Sequence, residues 1–184
     1  MTSEPLDRLL RGDVWEVARG LLGWTLESTI GGVQVAVTIT ETEAYAGELD
    51  PASHAYRGRT RRNATMFGPA GMLYVYRSYG IHWCMNVVVG KPGLAHAVLL
   101  RGGEPQAGLE AMRERRGRST DLTNGPGKLC QALAVTGAQD GHDLRSGPIR
   151  LLPGPGRGGR SVQRTPRIGI SKATKRPWRF VLVG

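Results

Sequence analysis

The chain has 184 residues, with 25 Lys and Arg against 15 Asp and Glu, which gives a formal net charge of +10. Its 40% hydrophobic content, 27 glycines and 11 prolines are typical of a folded, loop-rich protein and exclude a disordered or fibrous one. The length suits one well-cored domain, residues 1–184. So basic a chain favours a polyanionic partner over an acidic metabolite. Solvated faces chosen for solubility are the alternative.

The N-terminus lacks a charged flank before an apolar run, and no stretch approaches the roughly 18 apolar residues that a membrane span needs. We therefore expect a cytoplasmic protein, associated with the nucleoid if it is bacterial, that has no membrane partner. Cys84 and Cys130 lie in apolar segments without a paired framework. This pattern predicts reduced, buried thiols.

The first predicted elements are a short helix and a β-hairpin. Asp13 followed by Glu16 is typical of a capping box, and the helix that it opens is expected to end at Gly23. Residues 24–30 and 33–45 then predict two antiparallel strands joined by a Gly-Gly pair.

The remaining segments alternate between strands and helices without a βαβ rhythm. In chain order they are a long loop at 47–69, a hairpin at 73–89, a strand at 95–100, helices at 106–115 and 126–134, and strands at 149–152 and 180–183. A loop of that length in a compact domain is more often functional than idle. The pattern predicts a single α+β domain built on a mainly antiparallel β-sheet, with flanking helices and a protruding β-hairpin.

The strand that contains TITETEAYAG carries the most informative acids. The odd positions of residues 33–45 are apolar as far as Ile39 and then become Glu41, Glu43 and Tyr45. Period-two alternation in one strand would place these three on the face that the valines bury. A buried carboxylate is costly unless it is paired or used. Glu43 is therefore a candidate catalytic group, and a carboxylate paired with an arginine is the alternative.

The hairpin LYVYRSYGIHWCMN is the second informative segment. Gly80 stands where a tight turn needs a positive φ, which leaves Tyr79 near the apex. An aromatic residue there acts either as a lid over its neighbours or as a wedge in a nucleic-acid stack. Tyr74 and Tyr76 share one face of the first strand, where they serve either in the core or as a platform that stacks bases.

Metal and nucleophile patterns are missing from the sequence. The four histidines and two cysteines show no CxxC, HxxxH or paired-thiolate spacing. No GxSxG elbow supports a serine or cysteine triad. We expect neither a metal nor a cofactor.

Four segments in one order, TITETEAYAG, MLYVYRSYGIHWCMN, LLRGGEPQAGLEAMR and NGPGKLCQAL, followed by PWRF, resemble the 3-methyladenine DNA glycosylase family of the alkyladenine (mammalian-type) class. The resemblance covers the chain from about Asp13 to its end. It implies a monofunctional base-excision repair enzyme that flips alkylated purines, such as 3-methyladenine and 7-methylguanine, out of duplex DNA. A Glu-activated water would hydrolyse the N-glycosidic bond and leave an abasic site. The implied partner is double-stranded DNA with damaged bases, bound by a monomer.

The resemblance also implies residue roles. Glu43 matches the glutamate that activates the water, and Arg101 resembles the arginine that helps hold the water and the glutamate. Tyr45 and His54 match one side of the pocket for the flipped base, and Tyr76 matches the other.

Two further positions match residues that contact DNA or the base. Tyr79 resembles the tyrosine that enters the minor groove and fills the space left by the flipped nucleotide. Asn86 matches the asparagine that disfavours guanine, and no lysine falls at a matched pocket position. The alternatives without a role in base recognition or catalysis are that His54 caps the loop, that Arg101 binds a backbone phosphate, and that Asn86 forms hydrogen bonds with the backbone at the end of a strand.

Two functions from other classes fit the same features. One is a non-catalytic nucleic-acid binding module that recognises lesions or structures. The other is a single-strand RNA protein that uses Tyr74 and Tyr76 as a platform.

Overall fold

The structure is a computed structural model that describes residues 4–184. Within that range the helices are α1 (Glu4–Leu10), α2 (Val14–Gly20), α3 (Leu109–Arg116) and α4 (Pro126–Ala132). The strands are β1 (Thr25–Ser28), β2 (Val35–Ala46), β3 (Met72–Ser78), β4 (His82–Val89), β5 (His96–Ala107), β6 (His142–Asp143), β7 (Ile149–Leu152), β8 (Ser161–Thr165) and β9 (Arg179–Val183).

The strands form one sheet in the order β6-β3-β4-β5-β2-β1-β7, and each of their pairings is antiparallel. β2 pairs with β5 along most of its length, with β1 as far as Thr38, and with β9 at residues 41–43, while β8 extends the sheet beyond β9. The predicted α+β class with a mainly antiparallel sheet is confirmed.

The main hydrophobic core lies on one face of the sheet, beneath the helices. α2 packs on β2 and α4 packs on β4 and β5, because their apolar side chains repeat at helical spacing and meet the alternating apolar residues of the strands. The buried set includes Val17, Leu21, Val35, Val37, Ile39, Ala44, Ala46, Val87, Val98, Leu100, Leu129 and Leu133. We call the opposite face of the sheet the pocket face.

Several element boundaries differ from prediction. The side chain of Asp13 makes no capping hydrogen bond and α2 ends at Gly20, so the predicted capping box and the helix end at Gly23 are wrong. β5 continues to Ala107, and α3 begins only at Leu109 because Gly108, with φ +73°, turns the chain between them. α1, β6 and β8 were not predicted.

The strand that carries the acids does not keep a single alternation. Ile39 pairs with Gly103 and Glu41 with Gly102, so a β-bulge at Thr40 places two residues of β2 against one step of β5. Beyond the bulge, the even positions Ala44 and Ala46 face the main core, as Val35, Val37 and Ile39 do before it. The prediction that Glu43 and Tyr45 share the valine face is wrong, because the bulge reverses the parity.

A second, smaller core lies on the pocket face, beneath the loop at residues 47–69. It consists of Ala55, Met66, Tyr74, Val88, Ala95 and Ala97. Asn63 is buried and donates from its amide to the carbonyls of His54 at 2.9 Å and Gly58 at 3.0 Å. These bonds join three parts of the loop to one another, so the predicted loop has a defined conformation.

Cys84 and Cys130 are free and buried, as predicted. Among residues 4–184, no helix has the length and apolar composition that crossing a membrane requires.

Candidate functional site

The pocket face carries a cavity of about 580 Å³, within the range of small-molecule sites. Its walls come from β2 to β5, the 47–69 loop, the β3–β4 hairpin and the segment 168–172. Six of the predicted site residues line it: Tyr45, His54, Tyr76, Tyr79, Asn86 and Arg101. The fold therefore brings together residues that are separated by up to 56 positions in the chain.

Glu43 lies directly behind the cavity wall and is fully buried. Its Oε2 accepts a hydrogen bond from the Tyr45 hydroxyl at 2.8 Å, and its Oε1 accepts one from the backbone N–H of Ile168 at 2.8 Å. The guanidinium of Arg101 lies 3.4 Å from Oε1. Burial raises the pKa of Glu43 above its ordinary value, although Arg101 and the two hydrogen bonds oppose the rise.

Glu41 has a different environment from Glu43. Its Oε1 accepts hydrogen bonds from Nε of Arg101 at 2.8 Å and from Nε of Arg179 at 2.6 Å. Burial disfavours its charge, but the two arginines outweigh burial and lower the pKa of Glu41. The alternation of the strand alone could not choose between the two acids. The pKa of Glu43 is raised and that of Glu41 lowered, because Glu43 is the more deeply buried acid and Glu41 is bound by two arginines.

Three aromatic side chains form one wall of the cavity, so the prediction that His54 and Tyr76 lie on opposite sides of the pocket is wrong. The rings of Tyr74 and Tyr76 stack with centroids 5.6 Å apart, and His54 meets Tyr76 edge-on at 4.4 Å. Nδ1 of His54 and the Tyr74 hydroxyl are 3.1 Å apart. Burial, with a contribution from nearby Arg62, lowers the pKa of His54 and favours its neutral form. Tyr74 is only 1% exposed and underlies the others.

Asn86 is buried on β4, where it pairs with Tyr74 on β3 and with Leu99 on β5. Its amide nitrogen donates to the carbonyl of Tyr74 at 3.2 Å. This bond fixes the orientation of the side chain at the cavity wall. Cys84, two residues earlier on the same strand face, also lines the cavity.

The hairpin tip stands at the cavity rim. Gly80 has φ +68°, as predicted, and Tyr79 also adopts a positive φ of +50°. The Tyr79 side chain is 88% exposed, and neighbouring Ile81 is 67% exposed. The tip therefore presents two apolar side chains to solvent beside the cavity.

Sequence reasoning missed the contribution of residues 167–172. Ile168 donates to Glu43, and Lys172 lies exposed on the lining, although no lysine was expected among the matched pocket positions. Arg167 is buried against Tyr45. These residues lie in the arginine- and lysine-rich segment from Arg157 to Arg179, which we call the basic tail. The sequence shows only the charge of this segment, so no local pattern singled them out.

Metal-binding residues are not clustered in the part of the chain that the structure describes. Among residues 4–184, no group of three or more His, Cys, Asp or Glu side chains could hold a metal ion.

Comparisons with known proteins identify the family. The model of the methylpurine-DNA glycosylase family matches residues 8–184. A protein of Frankia casuarinae described as "Putative 3-methyladenine DNA glycosylase" is 51% identical, over 93% of this chain and 85% of its own. Proteins with the same description from Granulibacter bethesdensis (52% identical, 91% and 78% covered) and Agrobacterium fabrum (51% identical, 94% and 85% covered) match similarly. This chain therefore belongs to the methylpurine-DNA glycosylase family and is a DNA glycosylase that acts in DNA repair.

Proposed function

We propose that this glycosylase flips alkylated purines, of the 3-methyladenine and 7-methylguanine type, from duplex DNA into the cavity. A water activated by Glu43 then hydrolyses the N-glycosidic bond and leaves an abasic site. The observation that carries this proposal is a fully buried carboxylate with a raised pKa, separated from the cavity only by groups that contact it. We further propose that the enzyme acts as a monomer in the cytoplasm.

The aromatic lining suits an alkylated base. Alkylation at a ring nitrogen makes the base cationic, so Tyr45 and Tyr76 would attract it through cation–π contacts that a normal base lacks. The same positive charge makes the base a good leaving group. The pocket therefore favours damaged purines in both binding and bond cleavage.

Glu43 serves as the general base. It must be ionised to accept a proton from water, and Arg101 limits the rise in its pKa that burial causes. Its negative charge also stabilises the oxocarbenium character that develops on the sugar. Tyr45 and Arg101 both contact Glu43 and line the cavity, so we expect the water to approach the carboxylate beside these two side chains.

Nucleophilic attack by water makes the enzyme monofunctional. Lys172 lies exposed on the lining and matches none of the family's pocket residues, and the burial of Glu43 supports water as the nucleophile. The product is then a free base and an intact abasic site.

Tyr79 supports the flipping step. Extrusion of a nucleotide costs a few kcal/mol of stacking and pairing, and an inserted side chain offsets part of this cost. The exposed ring of Tyr79 stands on the cavity rim, so it would fill the stack next to the base that enters. Arg62, Arg77 and Lys172 on the same lining would bind the flanking phosphates.

Asn86 contributes to the choice of base. Its side chain is held by the Tyr74 carbonyl at the cavity wall, and its match to the family's asparagine supports a role in disfavouring the exocyclic amine of guanine. We therefore expect adenine lesions to be accepted more readily than guanine lesions.

The other two candidate functions receive less support. Membership in a glycosylase family argues against a non-catalytic module. Because Tyr74 is 1% exposed, Tyr74 and Tyr76 do not offer a two-ring platform for single-stranded RNA.

The substitution Glu43→Gln tests the proposal. It keeps the size of the side chain but removes the general base, so single-turnover release of 3-methyladenine from methylated duplex should fall about 10²- to 10⁴-fold. Glu27→Gln is the matched control, because Glu27 is also a buried, bonded carboxylate, but its partners are Arg150 and Gln34. Undiminished release by the Glu43→Gln protein would refute the role of Glu43.

A further inference from the structure

We propose that Arg167 is a positioning residue for the excision reaction, because it holds in place two of the three groups that contact the Glu43 carboxylate. These groups are the Tyr45 hydroxyl and the backbone N–H of Ile168. The inference rests on the proposed role of Glu43. It adds a residue of the basic tail to the catalytic machinery.

Arg167 is fixed by a buried ion pair. Its guanidinium donates to both carboxylate oxygens of Asp50, at 2.5 and 2.9 Å, and both side chains are completely buried. A bidentate arginine–carboxylate pair fixes orientation as well as distance. Asp50 also accepts from the N–H of Ala52 at 3.2 Å, so the anchor belongs to the ordered 47–69 loop.

The guanidinium of Arg167 supports the Tyr45 ring. It lies 4.5 Å from the centroid of Tyr45 and 5.1 Å from that of Trp178. It also donates to the carbonyl of Ala44 at 2.9 Å, while the N–H of Ala44 donates to the carbonyl of Trp178 at 2.9 Å. The N–H and the carbonyl of Ala44, the residue between Glu43 and Tyr45, are therefore both hydrogen-bonded, and the Tyr45 hydroxyl is kept 2.8 Å from Glu43.

Arg167 also fixes the position of the second donor. Ile168 follows it directly in the chain, and the backbone N–H of Ile168 donates to Glu43 at 2.8 Å. The Ile168 side chain is half exposed and gives this residue little anchorage of its own. The position of the N–H therefore depends on the anchored side chain one residue earlier.

Stability alone explains this arrangement poorly. Buried ion pairs gain little net stability over apolar residues of similar volume. The Nε of Arg167 is buried without a hydrogen-bond partner among the described residues, which adds a cost. An apolar side chain could not supply either the planar stacking of the guanidinium on Tyr45 or its bidentate hydrogen bonds to Asp50.

Two substitutions of Arg167 test the inference. Arg167→Met removes the charge and the fork, whereas Arg167→Lys keeps the charge but loses the planar stack and the bidentate pair. We expect single-turnover excision at saturating enzyme to fall about 10- to 100-fold in the Met variant, as for other small misplacements of catalytic groups. The Lys variant should retain an intermediate rate. Affinity for undamaged duplex should change less than about threefold for Lys and Met alike, since Arg167 is buried away from the surface.

The pH profile separates positioning from a purely structural role. Loss of two ordered donors and one cation should move the acid limb of the excision profile to higher pH in the Met variant, because each of these groups favours the ionised carboxylate. Arg150→Met is the matched control, because it breaks an ion pair with the buried Glu27 without contact to Glu43. Its rate and profile should match the wild type.

The outcomes distinguish this inference from the proposed function. If Glu43→Gln abolishes excision but the Arg167 variants keep the wild-type rate and profile, the positioning role is overturned and Glu43 stays the general base. If Glu43→Gln remains active, the proposed function itself fails and the inference with it. If Arg167→Met does not fold, the rate and profile of Arg167→Lys decide, and an unchanged Lys variant overturns the inference.

Discussion

The charge of Arg101 should set the pH at which excision begins. Its guanidinium lies 3.4 Å from the Glu43 carboxylate, and Arg101→Met would remove the charge while keeping much of the apolar stem. At this distance and an effective dielectric constant of about 20, the attraction is about 5 kcal/mol, which corresponds to more than 3 pKa units. Arg101 also forms an ion pair with Glu41, which weakens its effect on Glu43. We therefore expect Arg101→Met to raise the pKa of Glu43 by about 1 to 3 pH units.

The assay is single-turnover release of methylated purines from duplex DNA across the pH range, with spontaneous release at each pH subtracted. The acid limb of the Arg101→Met profile should rise by about 1 to 3 pH units. Arg179→Met is the matched control: the Arg179 side chain also binds Glu41, and its backbone pairs with Glu43 between β9 and β2, but within residues 4–184 its guanidinium forms no ion pair with Glu43. Equal shifts in the two variants, or no shift in Arg101→Met, would refute the assignment of Glu43 as the titrating base.

Two further changes separate binding, chemistry and stability. Tyr79→Ala should slow excision about tenfold or more through loss of base stacking, while nonspecific DNA affinity is kept. Tyr56→Ala is the control and should have no effect, because Tyr56 is an exposed tyrosine outside the cavity lining. Equal losses of affinity for damaged and undamaged duplex in Tyr79→Ala would count against a wedge. Because burial raises the folded-state pKa of Glu43, ionisation costs stability as the pH rises through that pKa. Glu43→Gln should therefore unfold at higher denaturant than wild type at pH 8, by about 1.4 kcal/mol per unit of pKa elevation, and the gap should close near pH 4. A gap that widens toward low pH would contradict this sign.

The sequence predicted the elements with strong local patterns. The β3–β4 hairpin and its tip were predictable because Gly80 has the backbone freedom that the turn needs and the flanking strands are rich in β-formers. Six predicted site residues converge on one cavity. Four of them lie on the neighbouring strands β2 to β5, and the other two lie in the hairpin tip and in the 47–69 loop, which border the same cavity. The end of β5 was less predictable, because the glycine pair of LLRGGE suggests a break where the strand in fact continues.

Long-range contacts account for what the sequence did not reveal. Arg167 contacts Asp50, Ala44 and Tyr45, which are all more than 100 residues away in the chain, and such pairings leave no periodic signal. The position resembles any other basic residue of the tail. Only the fold distinguishes a buried, bidentate arginine from its solvated neighbours.

The bulge in β2 explains how an acidic residue in a valine-rich strand becomes available for chemistry. Without it, strict alternation would point Glu43 into the main core with Val37 and Ile39, far from the cavity and its arginine. The register shift at Thr40 is followed directly by a second shift, which leaves Arg101 of β5 without a strand partner. The side chains of both strands therefore change direction at the same point along the ladder. At Gly103 a Cβ would lie 2.8 Å from Val37 Cγ2 and 2.9 Å from the Thr38 carbonyl oxygen, so glycine permits this close approach. The paired shifts therefore place the Glu43 carboxylate and the Arg101 guanidinium together on the pocket face, 3.4 Å apart.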